Sequence, residues 1–431
     1  MSQTRATSHA FNWTTSLATS EKEHQRQVSI LSWNILAQYL FDSNRHWYQY
    51  VDTNAPVSWP ERFALIMDEI TSCQADIICL QEVEFEAFDD FLPSLKRHGY
   101  SGIMQNKKRR SGDHGHGVAT FYREEKFELV DTIHRSRTMV TLLKDKERDN
   151  RTTAVVNCHL EGRPDKAIAR VKQLQSTLQD LSTKYTHHAM IVCGDMNCMM
   201  NDSACSTYLQ LGTCKDMQIM EWGSLVDSKV SDIPSHSYSL QSAYPVELMT
   251  EQPMDYVTFV SSPQRFVSGL DQIWYHDSSN SVTVKGIKNP FHSPEHRRNV
   301  LESGLPCMHW PSDHLAIGCI LEWKKDADKT NLCHQELTCV TKDMNESDLR
   351  RDAIELLSAC PFELEEQREE FLYVTSEVVR SCAKGKPTEE EIQQIRDRRT
   401  RKKKLMSEVS DEVQQIMEQV AKLMKAAESK K

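Results

Sequence analysis

Five times along this chain a strand-like apolar run meets polar residues that packing alone does not require. They are Trp33-Asn34, Gln81-Glu82, Cys158-His159, Asp195-Met196-Asn197 and Asp313-His314, the last entering the final apolar run. Strands with polar tips, mixed with helical spacings over about 300 residues, predict an α/β layered fold whose tips gather at one rim of a sheet.

The runs themselves are short and rich in β-branched and aromatic residues. Residues 28–34, 75–80, 118–123, 152–160, 189–193, 270–275 and 315–323 read as strands. Ser58-Trp59-Pro60-Glu61 opens a helix, with proline in the first turn and an acid after it. Phe63, Ile66, Met67 and Ile70 then fall on one face. Residues 165–181 read as a second helix. The expected organisation is a flexible arm over 1–26, a catalytic domain over 27–324, a polar linker over 325–345 and a helical extension over 346–431. Within the extension, Leu405, Val409, Val413, Ile416, Val420 and Leu423 form a heptad-like seam. It reads as a single amphipathic helix or as a short coiled coil over 405–427. The basic cluster at 396–404 reads as a solvated helix face, with a nuclear signal or an RNA contact as the minority readings.

Composition narrows the class. Apolar residues make up 39% and charged residues 26% of the 431, ordinary values for a soluble globular chain. No apolar run reaches the roughly 20 residues needed to span a bilayer, so no membrane partner is expected. The net charge of −10 hides an asymmetry, because residues 380–431 carry +5 and the remainder −15. An acidic body suits a protein that gathers carboxylates around a cation. Thirteen cysteines, odd in number, without a C-x-x-C and several of them inside apolar runs, read as buried hydrophobes in a reducing compartment. The first twenty residues lack an apolar signal segment and carry only Arg5 among basic side chains. A cytoplasmic location is expected, with a nuclear or mitochondrial pool as the alternatives.

The tips have a shared chemistry. A phosphodiester repels nucleophiles, so its hydrolysis needs a cation to neutralise oxygen charge, a base for water and a donor for the developing charge. Glu82, an acid at the end of an apolar strand, is the best ligand candidate for a hard divalent ion. Asp195 and Asn197 share one face of an extended segment, so one can take a proton while the other orients water or holds metal. Asp271 can hydrogen-bond an imidazole nitrogen of His314 and hold it as a cation. His159 is a second imidazole of this kind.

In chain order, Trp33-Asn34-Ile35-Leu36-Ala37, Leu80-Gln81-Glu82, Gly117-Val118-Ala119-Thr120-Phe121-Tyr122, Asn157-Cys158-His159-Leu160, Cys193-Gly194-Asp195-Met196-Asn197, Leu270-Asp271 and Pro311-Ser312-Asp313-His314 resemble the exonuclease–endonuclease–phosphatase superfamily. The resemblance covers residues 28–323, and the opening motif is similar to the deadenylase branch. It implies a four-layer, two-sheet α/β sandwich of the DNase I-like type with Mg²⁺, or Mn²⁺, at its rim. It also implies roles: Glu82 binds the metal with Asn34 and Asp313 near it, Asp195 is the general base steadied by Asn197, and His314, paired with Asp271, stabilises the phosphorus together with His159. Where the family has Asp-Tyr-Ile, this chain has Asp271-Gln272-Ile273, which bears on local packing only.

For substrate, His159 and Arg163 match the histidine-to-arginine spacing of nocturnin-like members, whose arginine faces substrate phosphate. Pro164 and Phe266 occupy positions that match the proline and aromatic residue that stack adenines. Pro164 also reads as a helix opener and Phe266 as core. Lys107, Lys108, Arg109 and Arg110 read either as backbone phosphate contacts or as a solvated loop. The resemblance therefore implies a 3′–5′ exoribonuclease acting on the 3′ end of adenosine-rich RNA in mRNA turnover. The alternatives are a phosphatase acting on the 2′-phosphate of NADP(H) or another adenine nucleotide, and an inactive RNA-binding scaffold. A protein partner or self-association through the C-terminal helices is the remaining partner expectation.

Overall fold

The computed structural model describes residues 27–323 apart from 53–54, 107–114, 149–150, 201–202, 246–255, 263–265 and 278–281. The chain divides into two units, Met1–Lys324 and Lys325–Lys431, and every described residue lies in the first. The expected arm, linker, helical extension and heptad-like seam thus fall outside the described residues, as do the basic clusters at 107–110 and 396–404.

In chain order the strands are β1 (Gln27–Asn34), β2 (Ile77–Glu84), β3 (Tyr100–Met104), β4 (His116–Arg123), β5 (Phe127–His134), β6 (Thr138–Asp145), β7 (Thr152–His159), β8 (Ala189–Asp195), β9 (Met220–Glu221), β10 (Ser224–Leu225), β11 (Gln241–Ser242), β12 (Phe259–Ser262), β13 (Phe266–Ser268), β14 (Asp271–Asp277), β15 (Val282–Ile287) and β16 (Ile317–Trp323). The α-helices are α1 (Gln38–Ser43), α2 (Trp59–Cys73), α3 (Phe88–Lys96), α4 (Ala167–Lys184), α5 (Ala204–Leu211) and α6 (Pro294–Ser303). The start of α2 matches the expected signal: Ser58 and Glu61 form a reciprocal capping box, with Pro60 in the first turn. The second helix begins later than its sequence signal, because Pro164–Lys166 forms a 3₁₀ turn before α4. No described helix is long and apolar enough to cross a membrane.

Two six-stranded sheets result, in the orders β15-β16-β1-β2-β4-β3 and β11-β14-β8-β7-β6-β5. Each contains one parallel pair, β1–β2 and β7–β8. A parallel pair needs a long crossover, and α2 and α4 supply one each. The sheets and helices build the DNase I-like α/β sandwich.

Side chains alternate along each strand. Leu31, Trp33, Ile78 and Leu80 join Ile66 and Ile70 of α2 and Phe91 of α3 in one core cluster. The other rows of β1 and β2, Ile30, Ile77 and Cys79, join a second cluster with Cys193 of β8 and Cys319 of β16. Polar cross-links lie among them near one end. Gln81 Nε2 donates to Asn157 Oδ1 at 2.9 Å, and Asn157 Nδ2 donates to the carbonyl of Ala119 at 2.9 Å. These bonds tie β2 and β4 of one sheet to β7 of the other.

Candidate active site

Register alone aligns much of the site. In the second sheet His159 pairs with Asp195 across the parallel β7–β8 ladder, and Asp271 pairs with Asp195 across the antiparallel β8–β14 ladder. Three adjacent strands therefore carry His159, Asp195 and Asp271 in one row, on one face. In the first sheet Asn34 pairs with Gln81. The β2–β4 register then shifts between Leu80 and Val83, and Glu82 takes a left-handed φ of 56°. That bulge re-aims Glu82 at the site, as bulges do beside functional residues. Its strain is offset by partners: Ala37 N–H donates to Glu82 Oε2 at 3.0 Å and Asn34 Nδ2 to Oε1 at 3.1 Å. The second bond of Asn34 crosses the sheets, with Nδ2 donating to Asp195 Oδ2 at 3.0 Å.

Around this crossing the imidazoles close in. His159 Nε2 lies 3.6 Å from Glu82 Oε1 and 3.8 Å from Asp195 Oδ2. His314 Nε2 lies 3.7 Å from Asp195 Oδ2, and its Nδ1 bonds Asp271 Oδ2 at 2.8 Å. Asn197 donates its backbone N–H to Asp195 Oδ1 at 2.9 Å and its side-chain amide to the Leu160 carbonyl at 3.0 Å. Asp313 accepts from the Tyr48 hydroxyl at 2.8 Å.

The charges separate by environment. Burial alone lowers an imidazole, and His159 sits below its usual value despite Glu82 and Asp195 beside it. Burial acts on His314 too, yet Asp271 and Asp195 overcome it and push His314 up to about 10. Burial raises Asp195, opposed by His314 and reinforced by the neighbouring Asp271. Burial also lifts Asp313 to about 6. For Glu82, burial is outweighed by His159, His116 and the two donors, so its carboxyl lies below the usual range. Two imidazoles pushed apart in this way are suited to different tasks.

Three supports hold the tips in place. Arg62 of α2 is fully buried; it donates to the carbonyls of Pro311 at 2.7 Å, Ile35 at 2.6 Å and Leu36. One guanidinium thus clamps the segment after β1 to the segment bearing Asp313. Trp33 and Trp310 both donate indole N–H to the His314 carbonyl, at 2.8 and 2.7 Å. Ser312 Oγ accepts from His314 N–H at 3.1 Å and donates to the Asn34 carbonyl at 2.7 Å. The sequence offers one hint for Arg62, a charged residue at a buried position of an amphipathic helix, and none for Tyr48.

The substrate-facing expectations fare differently. Arg163 is exposed and paired with Asp165 at 3.1 Å, and Pro164 opens the 3₁₀ turn on the surface. The backbone of Phe266 pairs with Ser262 in the β12–β13 hairpin, and its side chain lies outside the described residues. Gln272 settles into the protein by donating to the Cys198 carbonyl at 2.8 Å and accepting from Trp274 at 2.9 Å.

A divalent cation suits the donor set. Four acids, Glu82, Asp195, Asp271 and Asp313, converge with little exposure, and Asp271 Oδ1 is buried without a hydrogen-bond partner. Ligand atoms of Asp195, Asp271 and His314 lie within 4.8 Å of one another. A carboxylate-rich, oxygen-dominated cluster is what hard divalent ions bind.

Such a fold and such a rim define a class. The model of the endonuclease/exonuclease/phosphatase family matches residues 31–314, and the chain belongs to that family of phosphoester hydrolases. Among its curated relatives are Ccr4 exoribonuclease subunits and nocturnins. The CCR4-Not complex 3′–5′-exoribonuclease subunit Ccr4 of Candida albicans is 28% identical over 355 residues, covering 71% of this chain and 42% of that protein. Nocturnin of Homo sapiens is 27% identical over 327 residues, covering 70% of this chain and 66% of that protein. The chain spans between 39% and 50% of the length of the Ccr4 relatives from Candida albicans, Debaryomyces hansenii and Schizosaccharomyces pombe. In fold it is similar to ANGEL2, a 2′,3′-cyclic phosphatase, with a TM-score of 0.58 at 22% identity over 69% of this chain and 96% of that one.

Proposed function

We propose that this protein is a magnesium-dependent 3′–5′ exoribonuclease that removes nucleotides from the 3′ end of adenosine-rich RNA. The carrying observation is the intact array of Asn34, Glu82, His159, Asp195, Asp271 and His314 at one rim, in a chain whose Ccr4 relatives are 3′–5′ exoribonuclease subunits.

The residues divide the work. Asp195 takes the proton of the attacking water. Its Oδ1 is pinned by the Asn197 N–H, leaving Oδ2 among Asn34, His159 and His314. His314, kept cationic by Asp271, donates Nε2–H to the phosphoryl oxygens as charge grows on them. His159 offers a neutral N–H to the same group. Water adds to phosphorus and the bond to the 3′-oxygen of the preceding nucleotide breaks; that oxygen leaves and takes a proton from solvent to become a 3′-hydroxyl, and the terminal residue is released as a 5′-nucleotide. Glu82 would hold the cation, with Asn34 and Asp313 beside it. Asp271 and His314 are weaker ligand candidates, because a metal there would have to break their 2.8 Å ion pair. When bound, the cation neutralises phosphate oxygens and lowers the barrier to attack. Manganese is the expected substitute ion.

Arg163, the residue that distinguishes the nucleotide-phosphatase reading, is exposed and paired with Asp165; an exposed pair is weak and leaves its guanidinium available, so the choice between the two substrates rests on the assay. The intact array speaks against an inactive scaffold. Nine cysteines among the described residues are free thiols and eight are buried, which accords with the reducing cytoplasm we assign. The test is purified protein with Mg²⁺, given oligo(A) and NADPH separately. Shortening of oligo(A) with release of 5′-AMP is the expected result. Phosphate release from NADPH with oligo(A) left intact would overturn it.

A further inference from the structure

Beside the acid cluster a cleft of about 220 Å³ opens along His159. Its lining includes Tyr39 of α1, Phe85 after β2, Gln105 after β3, His116 of β4 and Arg137 from the β5–β6 turn. None of these has a part in the mechanism above. The Tyr39 hydroxyl meets His116 Nδ1 at 2.5 Å, and the two rings are 5.6 Å apart. The His116 ring is in turn 5.6 Å from that of His159. Burial and the nearby carboxylates of Glu82 and Glu84 keep the Tyr39 phenol protonated. The hydroxyl–Nδ1 bond fixes the orientation of the His116 ring in the wall of the cleft.

Arg137 is the cation of the cleft. Its turn is tied down by Gln105, whose amide donates to the carbonyls of Arg135 and Thr138 and accepts from Val118 N–H. Arg137 Nη2 meets Glu161 at 3.3 Å, with both side chains 31% exposed. A half-open pair of this kind is weak, and a guanidinium has five donors, so planar anion-binding capacity remains. A guanidinium, an oriented imidazole ring and an aromatic wall suit a phosphate carried on a nucleotide.

The location says which phosphate. If His159 faces the scissile group, the cleft lies one step along the same strand. At a 3′-terminal linkage no phosphate exists on the 3′ side. We propose that His116, oriented by Tyr39, and Arg137 form a second phosphate subsite that holds the phosphodiester immediately upstream of the scissile one. This rests on the exoribonuclease reading and adds to it the length of substrate that the site measures.

The test compares three substrates at saturating Mg²⁺: ApA with one linkage, ApApA with two, and ApApA whose upstream linkage is a neutral methylphosphonate. Wild-type protein should cleave ApApA with a kcat/KM about tenfold or more above that of ApA, the size expected for charge-assisted bonds to one phosphate. The methylphosphonate trimer should fall back toward ApA. In Arg137→Ala, His116→Ala and Tyr39→Phe the ratio of ApApA to ApA should drop toward one, and Arg137→Ala should discriminate little between the charged and neutral trimers. Equal kcat/KM for ApA and both trimers in the wild type would overturn the subsite while leaving the nuclease reading intact. So would variants that slow all three substrates by one common factor. Cleavage of none of them by the wild type would remove both readings. The methylphosphonate comparison needs no variant, so a misfolded substitution does not shield the proposal.

Discussion

His314 is held on every side: its carbonyl by two tryptophans, its N–H by Ser312 and its Nδ1 by Asp271. Its pKa, raised to about 10, means that its charged form stabilises the folded protein. That stabilisation is fully present below the ordinary imidazole value and is lost as pH rises through about 10. The same charge is needed for turnover in the proposed mechanism. Asp271→Asn should therefore move the alkaline limb of the kcat/KM–pH profile to lower pH by a unit or more. An unmoved limb would sever His314 from the rate. Asp195→Asn should lower kcat by about 10³ or more with a circular dichroism spectrum like that of the wild type. Glu82→Gln should raise the Mg²⁺ concentration needed for half-maximal rate, read by metal titration. At this scale the sequence is most legible where a polar residue ends an apolar run, as at Glu82 and Asp195. It is least legible where the partner comes from elsewhere in the chain. Tyr48 and Arg62 reach Asp313 and its flanking segment only through folding; helical spacing hints that Arg62 is buried but not what it holds, and nothing announces Tyr48.

Elements hold the tips at working distance. Gly194 precedes Asp195 with φ of 135°, and a Cβ there would lie 2.0 Å from the Cys158 carbonyl oxygen in the neighbouring strand. Gly194→Ala should force β7 and β8 apart and destabilise the fold by about 3 kcal/mol or more, read by urea unfolding. Arg62→Leu should cost about 3 kcal/mol or more, because the carbonyls of Ile35, Leu36 and Pro311 lose a buried donor. A change below about 1 kcal/mol would show that the clamp is dispensable. The tip pattern announces β1, β2, β7, β8 and β16, since these end or begin at the site. It does not announce β5, whose residues 128–131 are exposed, or β6, whose ends carry no member of the site. Nor does it announce the bulge at Glu82, which follows from pairing with β4 rather than from local composition.

The whole molecule is where the two sheets become one site. The unit Met1–Lys324 contains every described residue of the array. A fragment of residues 27–324 should fold, unfold in one cooperative transition and keep an oligo(A) rate within about threefold of the full chain. A fragment that aggregates, or whose rate collapses, would assign the remaining residues a part in the catalytic unit. The family resemblance carries the sandwich further than periodicity does, because alternating burial reveals which strands are covered but not which sheet each one joins. Only the register shows that Asn34 and Glu82 belong to one sheet and His159, Asp195 and Asp271 to the other.

That division has a practical outcome. A chain cut between β4 and β5 would leave Asn34 and Glu82 on one piece and the acid–imidazole row on the other, each inert by itself. Because β16 from the second piece pairs with β1 of the first, the halves would interlock on mixing. Recovered turnover would then report on reassociation, making this protein a split-enzyme sensor for the rebuilding of its first sheet from strands of both pieces.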